Sequence, residues 1–138
     1  MLSTQAASEG AGVKARLAFT HWQCLTYIEY MSEANGENFQ DNRQKHFDRG
    51  YSYAQEMYSI LKKSKNEPED WSSNAPMFFK WSMWGPTAEF AIGRLYEASI
   101  TEVSDHLIKK ISGEYIDKEL YQMDAYNSYQ DENCKLIP

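Results

Sequence analysis

Histidine and cysteine are the residues of this sequence best suited to binding a metal ion. The chain of 138 residues has three histidines and two cysteines. His21 and Cys24 lie three positions apart, so on a helix they would share a face and could supply two zinc ligands, with His106 as a third. A histidine packed beside a core cysteine explains the same spacing without a metal, and no Glu-x-x-His pair indicates a di-metal bundle. We therefore predict no metal site and no cofactor.

Catalysis by side chains alone has equally little support. The sequence has no Gly-x-Ser-x-Gly turn for a nucleophilic serine, and neither cysteine has a recognisable catalytic context. Asp105 and His106 are adjacent, so on a helix their side chains point in different directions. Glu29, Glu33 and Glu37 follow one another at intervals of four, which usually marks a solvated helix face. We predict that the protein is not an enzyme and assign no catalytic residue.

Apolar residues recur every three or four positions along most of the chain, and no stretch alternates as a strand would. This pattern predicts an all-α fold, a bundle of four main helices in one domain. The helices are expected at about 16–35, 38–63, 87–113 and 116–129. Gly36 would cap the first helix, and Thr87 would be the N-cap of the third. Residues 1–13 are expected to form a disordered lead-in, which leaves 14–138 as the helical domain.

Two glycines lie inside predicted helices. Gly50 and Gly93 each cost about 1 kcal/mol relative to alanine, and a usual reason to keep such a glycine is the close approach of another backbone. We expect the second and third main helices to cross near these residues. Contact with a ligand is the alternative, although neither glycine belongs to a glycine-rich phosphate loop.

The connection between the second and third main helices is acidic at first and then aromatic. Its first part, SKNEPEDWSSNAP, is a loop, and residues 74–84 are predicted to form a short aromatic helix that closes one end of the core. A helix this short cannot bury every large side chain on one side. The residues assigned to the core are Met77, Phe78 and Trp81.

The remaining aromatic residues of this connection are predicted to bind a partner. We expect Trp71 and Trp84 to be partly exposed beside Glu67, Glu69 and Asp70. An apolar centre with an acidic rim suits a basic partner protein.

The charge of the chain agrees with such a partner. The net charge is −6, of which residues 114–138 contribute −4 through six acidic residues and two lysines. A solvated helix face explains this acidic segment, and attraction of a basic protein is the alternative. Nucleic acid is excluded as a partner because its binding needs clustered lysine and arginine. No run of 18 apolar residues occurs, so membrane insertion is not expected.

Three stretches carry a resemblance: HFDRGYSYAQEM, WGPTAEFAIGRLYEA and the terminal NCKLI. They resemble recurring elements of small proteobacterial proteins that bear signal peptides and have no assigned function. In general layout the chain is also similar to the helical periplasmic immunity proteins that neutralise type VI secretion amidases. Counting cysteines alone leaves open whether Cys24 and Cys134 are bridged or are two reduced thiols. The resemblances imply an exported helical domain without catalysis, in which these two cysteines form a disulfide.

The function predicted from the sequence is a non-enzymatic protein-binding domain of the periplasm, of the immunity or inhibitor type. A cytosolic acidic inhibitor or regulator from a phage or other mobile element is the first alternative, and an enzyme of unknown type is the second. The protein would be periplasmic or secreted if a signal peptide has been removed, and cytoplasmic otherwise. The oligomeric state, including a homodimer, stays open.

Overall fold

The computed structural model describes residues 10–31 and 39–138, and within them the fold is all-α, as predicted. Four helices are long and two are single turns, so the expected four main helices are confirmed. In chain order the helices are α1 (Ala11–Tyr30), α2 (Phe39–Lys63), α3 (Trp71–Asn74), α4 (Phe79–Ser82), α5 (Ala88–Ile108) and α6 (Lys118–Asp131), followed by a 3₁₀ turn at Cys134–Leu136.

Helix α1 is the centre of the bundle and packs against α2, α3, α5 and α6. Its buried residues lie around most of its circumference. Ala11, Ala15 and Ala18 recur at helical spacing and are fully buried, so neighbouring helices can approach this side closely. Trp22 continues the same face into the largest core cluster, together with Met57 of α2.

The limits of α1 differ from the prediction at both ends. The helix begins at Ala11 and not near residue 16, because Asp70 satisfies its first turn from a distant part of the chain. One carboxylate oxygen accepts the N–H of Gly12 at 3.2 Å, and the other accepts the N–H of Val13 at 2.9 Å. Residues 11–13 are therefore helical. The helix ends at Tyr30, and the predicted cap Gly36 and residues 1–9 lie outside the described residues.

The other long helices follow the predicted limits more closely. Helix α2 starts one residue from its predicted start and ends at the predicted residue. Thr87 caps α5, since its hydroxyl accepts the N–H of Phe90 at 3.2 Å. Helix α5 ends at Ile108, five residues before its predicted end, because the chain reverses tightly there. In this reversal the carbonyl of Ile108 accepts the N–H of Ile116 at 2.7 Å. Gly113 lies in that reversal with a φ of 84°, which glycine adopts readily.

The two helix-interior glycines have different surroundings. A Cβ atom at Gly50 would lie 2.7 Å from Cδ1 of Trp22, so this glycine makes room for an indole of α1. Gly93 is exposed, and a Cβ atom there would meet nothing within 4 Å. The prediction that α2 and α5 cross at these two residues is therefore wrong.

The C-terminal segment is bound covalently to the central helix. Cys24 and Cys134 form a disulfide with a Cα–Cα distance of 5.7 Å, which confirms the bridge that the resemblances implied. Both cysteines belong to a second core cluster, which α1 forms with Val103 and Leu107 of α5 and Tyr129 of α6. Among the described helices, none is both long and apolar enough to cross a bilayer.

Candidate functional site

Two of the five residues predicted to bind a partner, Asp70 and Trp71, contact the rest of the fold instead. Asp70 is occupied by the first turn of α1, as described above, and Trp71 is only 7% exposed within the main core. The expected partial exposure of Trp71 is therefore wrong. Its burial follows from the same contact, since the backbone of Asp70 and Trp71 packs directly against Gly12. Glu67 and Glu69 are exposed, and the expectation for Trp84 is confirmed, because it is 57% exposed.

Residues 74–84 do not form the single aromatic helix that the sequence predicts. Helix α3 ends at Asn74, Ala75 is extended, and α4 is one turn that buries Phe79. Phe79 packs edge-on to Phe19 of α1, with their ring centroids 6.4 Å apart. The phase of the predicted helix was consequently wrong. Met77 and Trp81, assigned to the core, are exposed, and Phe78 is half-buried.

Four large apolar side chains are exposed in the connection before α5 and in the first turn of α5, and we call them the aromatic patch. Its members and their exposed fractions are Met77 (79%), Trp81 (66%), Trp84 (57%) and Phe90 (49%). Met77 and Trp81 are four positions apart around α4, and Phe90 lies against the backbone at Gly85, next to Trp84. Exposed large apolar side chains concentrated in one short part of the chain indicate an interaction site more often than scattered single ones do.

Charged groups border the aromatic patch. The guanidinium of Arg94 lies 3.9 Å from the ring centroid of Trp84, which is a close cation–π contact. Lys80 and Glu67 line a small neighbouring pocket with the edge of Trp71. The patch thus combines rigid aromatic rings with charges of both signs, as protein interfaces do.

A second surface feature is a groove between α1, α5 and α6, with a volume of about 560 Å³. Each helix contributes residues at helical spacing, so one face of each helix lines it. The lining residues of α1 are Phe19, Gln23 and Tyr27; those of α5 are Glu102, Val103, His106 and Leu107; those of α6 are Asp124, Asn127, Ser128 and Asp131. We call this feature the acidic groove, because its lining has three carboxylates and no lysine or arginine.

The floor and the rim of the acidic groove differ in polarity. Tyr27, Val103 and Leu107 are buried and give the groove a partly apolar floor. Asp124 and Asp131 are exposed on the α6 side, and no residue in the described part of the chain forms an ion pair with either. Burial raises the pKa of Tyr27, and the charge of Glu132 raises it further, so its phenol stays protonated.

The histidines do not gather at a metal site. His106 is exposed on α5, and Cys24 is bound to Cys134, so the zinc ligands weighed above do not converge. Within the described residues, no group of three or more histidine, cysteine or acidic side chains could hold a metal ion. His21 instead faces His46 of α2, with their Nδ1 atoms 2.9 Å apart.

This histidine pair is buried, since His21 is 0% and His46 is 2% exposed. The pKa of each imidazole is lowered to about 4, mainly by burial, and the nearby charge of Arg49 contributes to this shift at both rings. An interaction with the backbone of Pro138 opposes the shift at His21 only in part. Nε2 of His21 is buried without a hydrogen-bond partner. Both rings are therefore neutral at pH 7, and one Nδ1 carries the hydrogen that the other accepts.

Sequence reasoning missed the histidine pair and the acidic groove because both are assembled between helices. The spacing of Asp124 and Asp131 on α6 was visible, but the helices that face them were not. Comparison with models of protein families, with curated proteins and with solved structures finds no significant match to this chain. The resemblances drawn from its motifs therefore stay predictions.

Proposed function

We propose that the protein is a non-enzymatic binding domain that recognises another protein through the aromatic patch and acts as an inhibitor of the immunity type. The observation that carries this proposal is the exposure of Met77, Trp81, Trp84 and Phe90, which lie within 14 residues of one another in the sequence. Tryptophan and other aromatic residues dominate the binding energy of protein interfaces when they become fully desolvated. The net charge of −6 favours a basic partner.

The Cys24–Cys134 disulfide supports action in an oxidising compartment, and we propose the periplasm. Cytosolic proteins rarely keep structural disulfides, so the bridge favours this location over that of a cytosolic regulator. The fold gives an inhibitor a rigid platform, since Phe79, which is two residues from both Met77 and Trp81, anchors α4 in the core. A preorganised surface loses little entropy on binding.

Site-specific photo-crosslinking in the native host tests the proposal. A photoreactive residue replaces Met77 in one variant and Ile111 in another; both side chains are highly exposed, but Ile111 lies in the chain reversal after α5. We expect one discrete adduct from position 77 and none from position 111. The protein in that adduct is then purified, and its affinity for the wild type and for Trp81→Ala is measured by calorimetry.

We expect Trp81→Ala to weaken binding at least tenfold, about 1.4 kcal/mol, while the melting temperature stays within about 2 °C. If the captured protein has a measurable activity, the wild type should inhibit it and the variant should not. Equal adducts from positions 77 and 111, or unchanged affinity of Trp81→Ala, would show that the aromatic patch is not the interface.

A further inference from the structure

We infer that the acidic groove between α1, α5 and α6 receives a lysine- or arginine-containing segment of the partner protein. This inference deepens the proposed function and rests on it, because it assigns a second contact to the same kind of partner. It concerns a surface distinct from the aromatic patch, since the two share no lining residue.

The shape of the groove suits a long cationic side chain. Its volume of about 560 Å³ is within the range of sites that hold small ligands. Arginine and lysine have aliphatic stems that pack on apolar surface while the charged end stays solvated or paired. Val103 and Leu107 on the floor can contact such a stem, and Asp124 and Asp131 on the rim can pair with the charged end.

Charge complementarity selects this occupant over others. Three carboxylates line the groove, and its one basic group is His106, which lies 3.7 Å from Glu102. A nucleic acid or an acidic peptide would bring further negative charge to this surface and would be repelled. A purely apolar segment would bury Asp124 and Asp131 without compensation, which is costly. A basic segment can pack its aliphatic stem on the apolar floor and pair its charge with the acidic rim.

The groove is also ready to bind without rearrangement. Tyr27 of α1 is buried in one core cluster with Ala125 and Tyr129 of α6, and this packing fixes the α1 and α6 walls relative to each other. The disulfide attaches the end of α6 to α1 close to this point. Walls held in this way keep their spacing when a ligand enters or leaves.

The test measures peptide binding by the isolated protein, so it does not depend on finding the partner. The probe is acetyl-Arg-Arg-Arg-amide, and the matched control peptide has citrulline at all three positions, which is neutral and of similar shape. Binding is followed by two-dimensional amide NMR of the wild type. We expect saturable shifts at the amides of Val103, Leu107, Asn127 and Ser128 with the arginine peptide and none with the citrulline peptide.

Two double variants of equal charge change then locate the site. Asp124→Asn with Asp131→Asn should weaken arginine-peptide binding about tenfold, because each exposed ion pair contributes a modest amount. Glu114→Gln with Glu119→Gln removes the same charge outside the groove and should change affinity less than about twofold. Equal weakening by both variants, or shifts centred elsewhere, would overturn the inference by showing a diffuse effect of net charge.

The experiments distinguish a failure of the groove inference from a failure of the proposed function. If the wild type binds no arginine peptide but position 77 still gives a specific adduct, the groove inference is wrong and the aromatic patch remains. If sedimentation shows a dimer that Asp124→Asn with Asp131→Asn abolishes, the occupant is a second copy of this chain and the inference is again wrong. Peptide binding in the groove without any adduct at position 77 would contradict the proposed function alone.

Discussion

Mild acid should destabilise this protein through the buried pair His21 and His46. The pKa of each imidazole is about 4 in the folded state, against 6.5 for an unperturbed histidine. The folded state therefore binds protons more weakly than the unfolded state. The stability that the pair contributes is present above pH 6.5 and is lost as the pH falls from 6.5 towards 4.

The size of this effect follows from the difference between the two pKa values. One histidine with these values should reduce the free energy of unfolding by about 2 kcal/mol between pH 7 and pH 5, and by about 3 kcal/mol below pH 4. The first proton can be accommodated while one Nδ1 still donates to the other. The second proton breaks that hydrogen bond, because both Nδ1 atoms would then carry hydrogen.

Other groups around the pair add little to its pH dependence in this range. The charged groups near the pair are Lys45 and Arg49 of α2, and the rings of Tyr53 and Tyr129 pack against it. Side chains of these types ordinarily titrate well above pH 7. Ordinary carboxylates titrate mainly below pH 5. Comparing pH 7 with pH 5 therefore isolates the histidines.

The assay is urea denaturation at several pH values between 7 and 5, for the wild type and for His106→Gln, which changes only the exposed histidine. Both should lose about 2–4 kcal/mol over this range because they contain two buried histidines, whereas His46→Gln keeps only His21 buried and should lose about 2 kcal/mol. Histidine NMR of the folded wild type gives an independent reading if His46→Gln does not fold. A wild-type change below about 0.5 kcal/mol, or protonation of either buried ring above pH 6 in the folded protein, would refute the reasoning.

Four further variants test the fold. Replacing Cys24 and Cys134 with serine should lower the free energy of unfolding by about 5 kcal/mol, since the bridge closes a loop of 110 residues. The melting temperature should fall by roughly 15 °C, and a fall of less than about 3 °C would contradict the role of the bridge. In denaturation experiments, Gly50→Ala should destabilise the protein by about 1–3 kcal/mol, because the added Cβ collides with the indole of α1. Gly93→Ala should stabilise the protein by up to about 1 kcal/mol. If Gly93→Ala were the less stable of the two variants, the packing described at α2 would be wrong. Asp70→Asn should lower the free energy of unfolding by about 1 kcal/mol, because it removes the carboxylate from the first turn of α1. The amides of that turn should exchange hydrogen faster, and unchanged exchange there would contradict the contact.

Local pattern predicted those parts of the fold that depend on local interactions. The limits of α2 and the N-cap Thr87 were correct because helical periodicity and capping involve residues a few positions apart. The early start of α1 depends on Asp70, which is 57 residues from Val13, and no local signal could show it. Contacts of that range are set by tertiary packing.

The aromatic connection shows where periodicity fails. The interpretation of residues 74–84 as one helix assigns the wrong side chains to the core. The chain is extended at Ala75, so α3 and α4 have independent phases, and one turn is too short for periodicity to identify the buried residue as Phe79. The exposure of Met77 and Trp81 follows from that break. The composition of the segment was informative about its role, but not about which side of it faces the solvent.

The disulfide also determines how the molecule would respond to force. Cys24 and Cys134 join the central helix to the C-terminal segment and close a covalent ring that contains the helices from α2 to α6. If the two ends of the chain are pulled apart, the bridge carries the tension, and only the residues before Cys24 and after Cys134 can be extended. The ring lengthens only after reduction, so its contour length would be released in a single step that depends on the reductant.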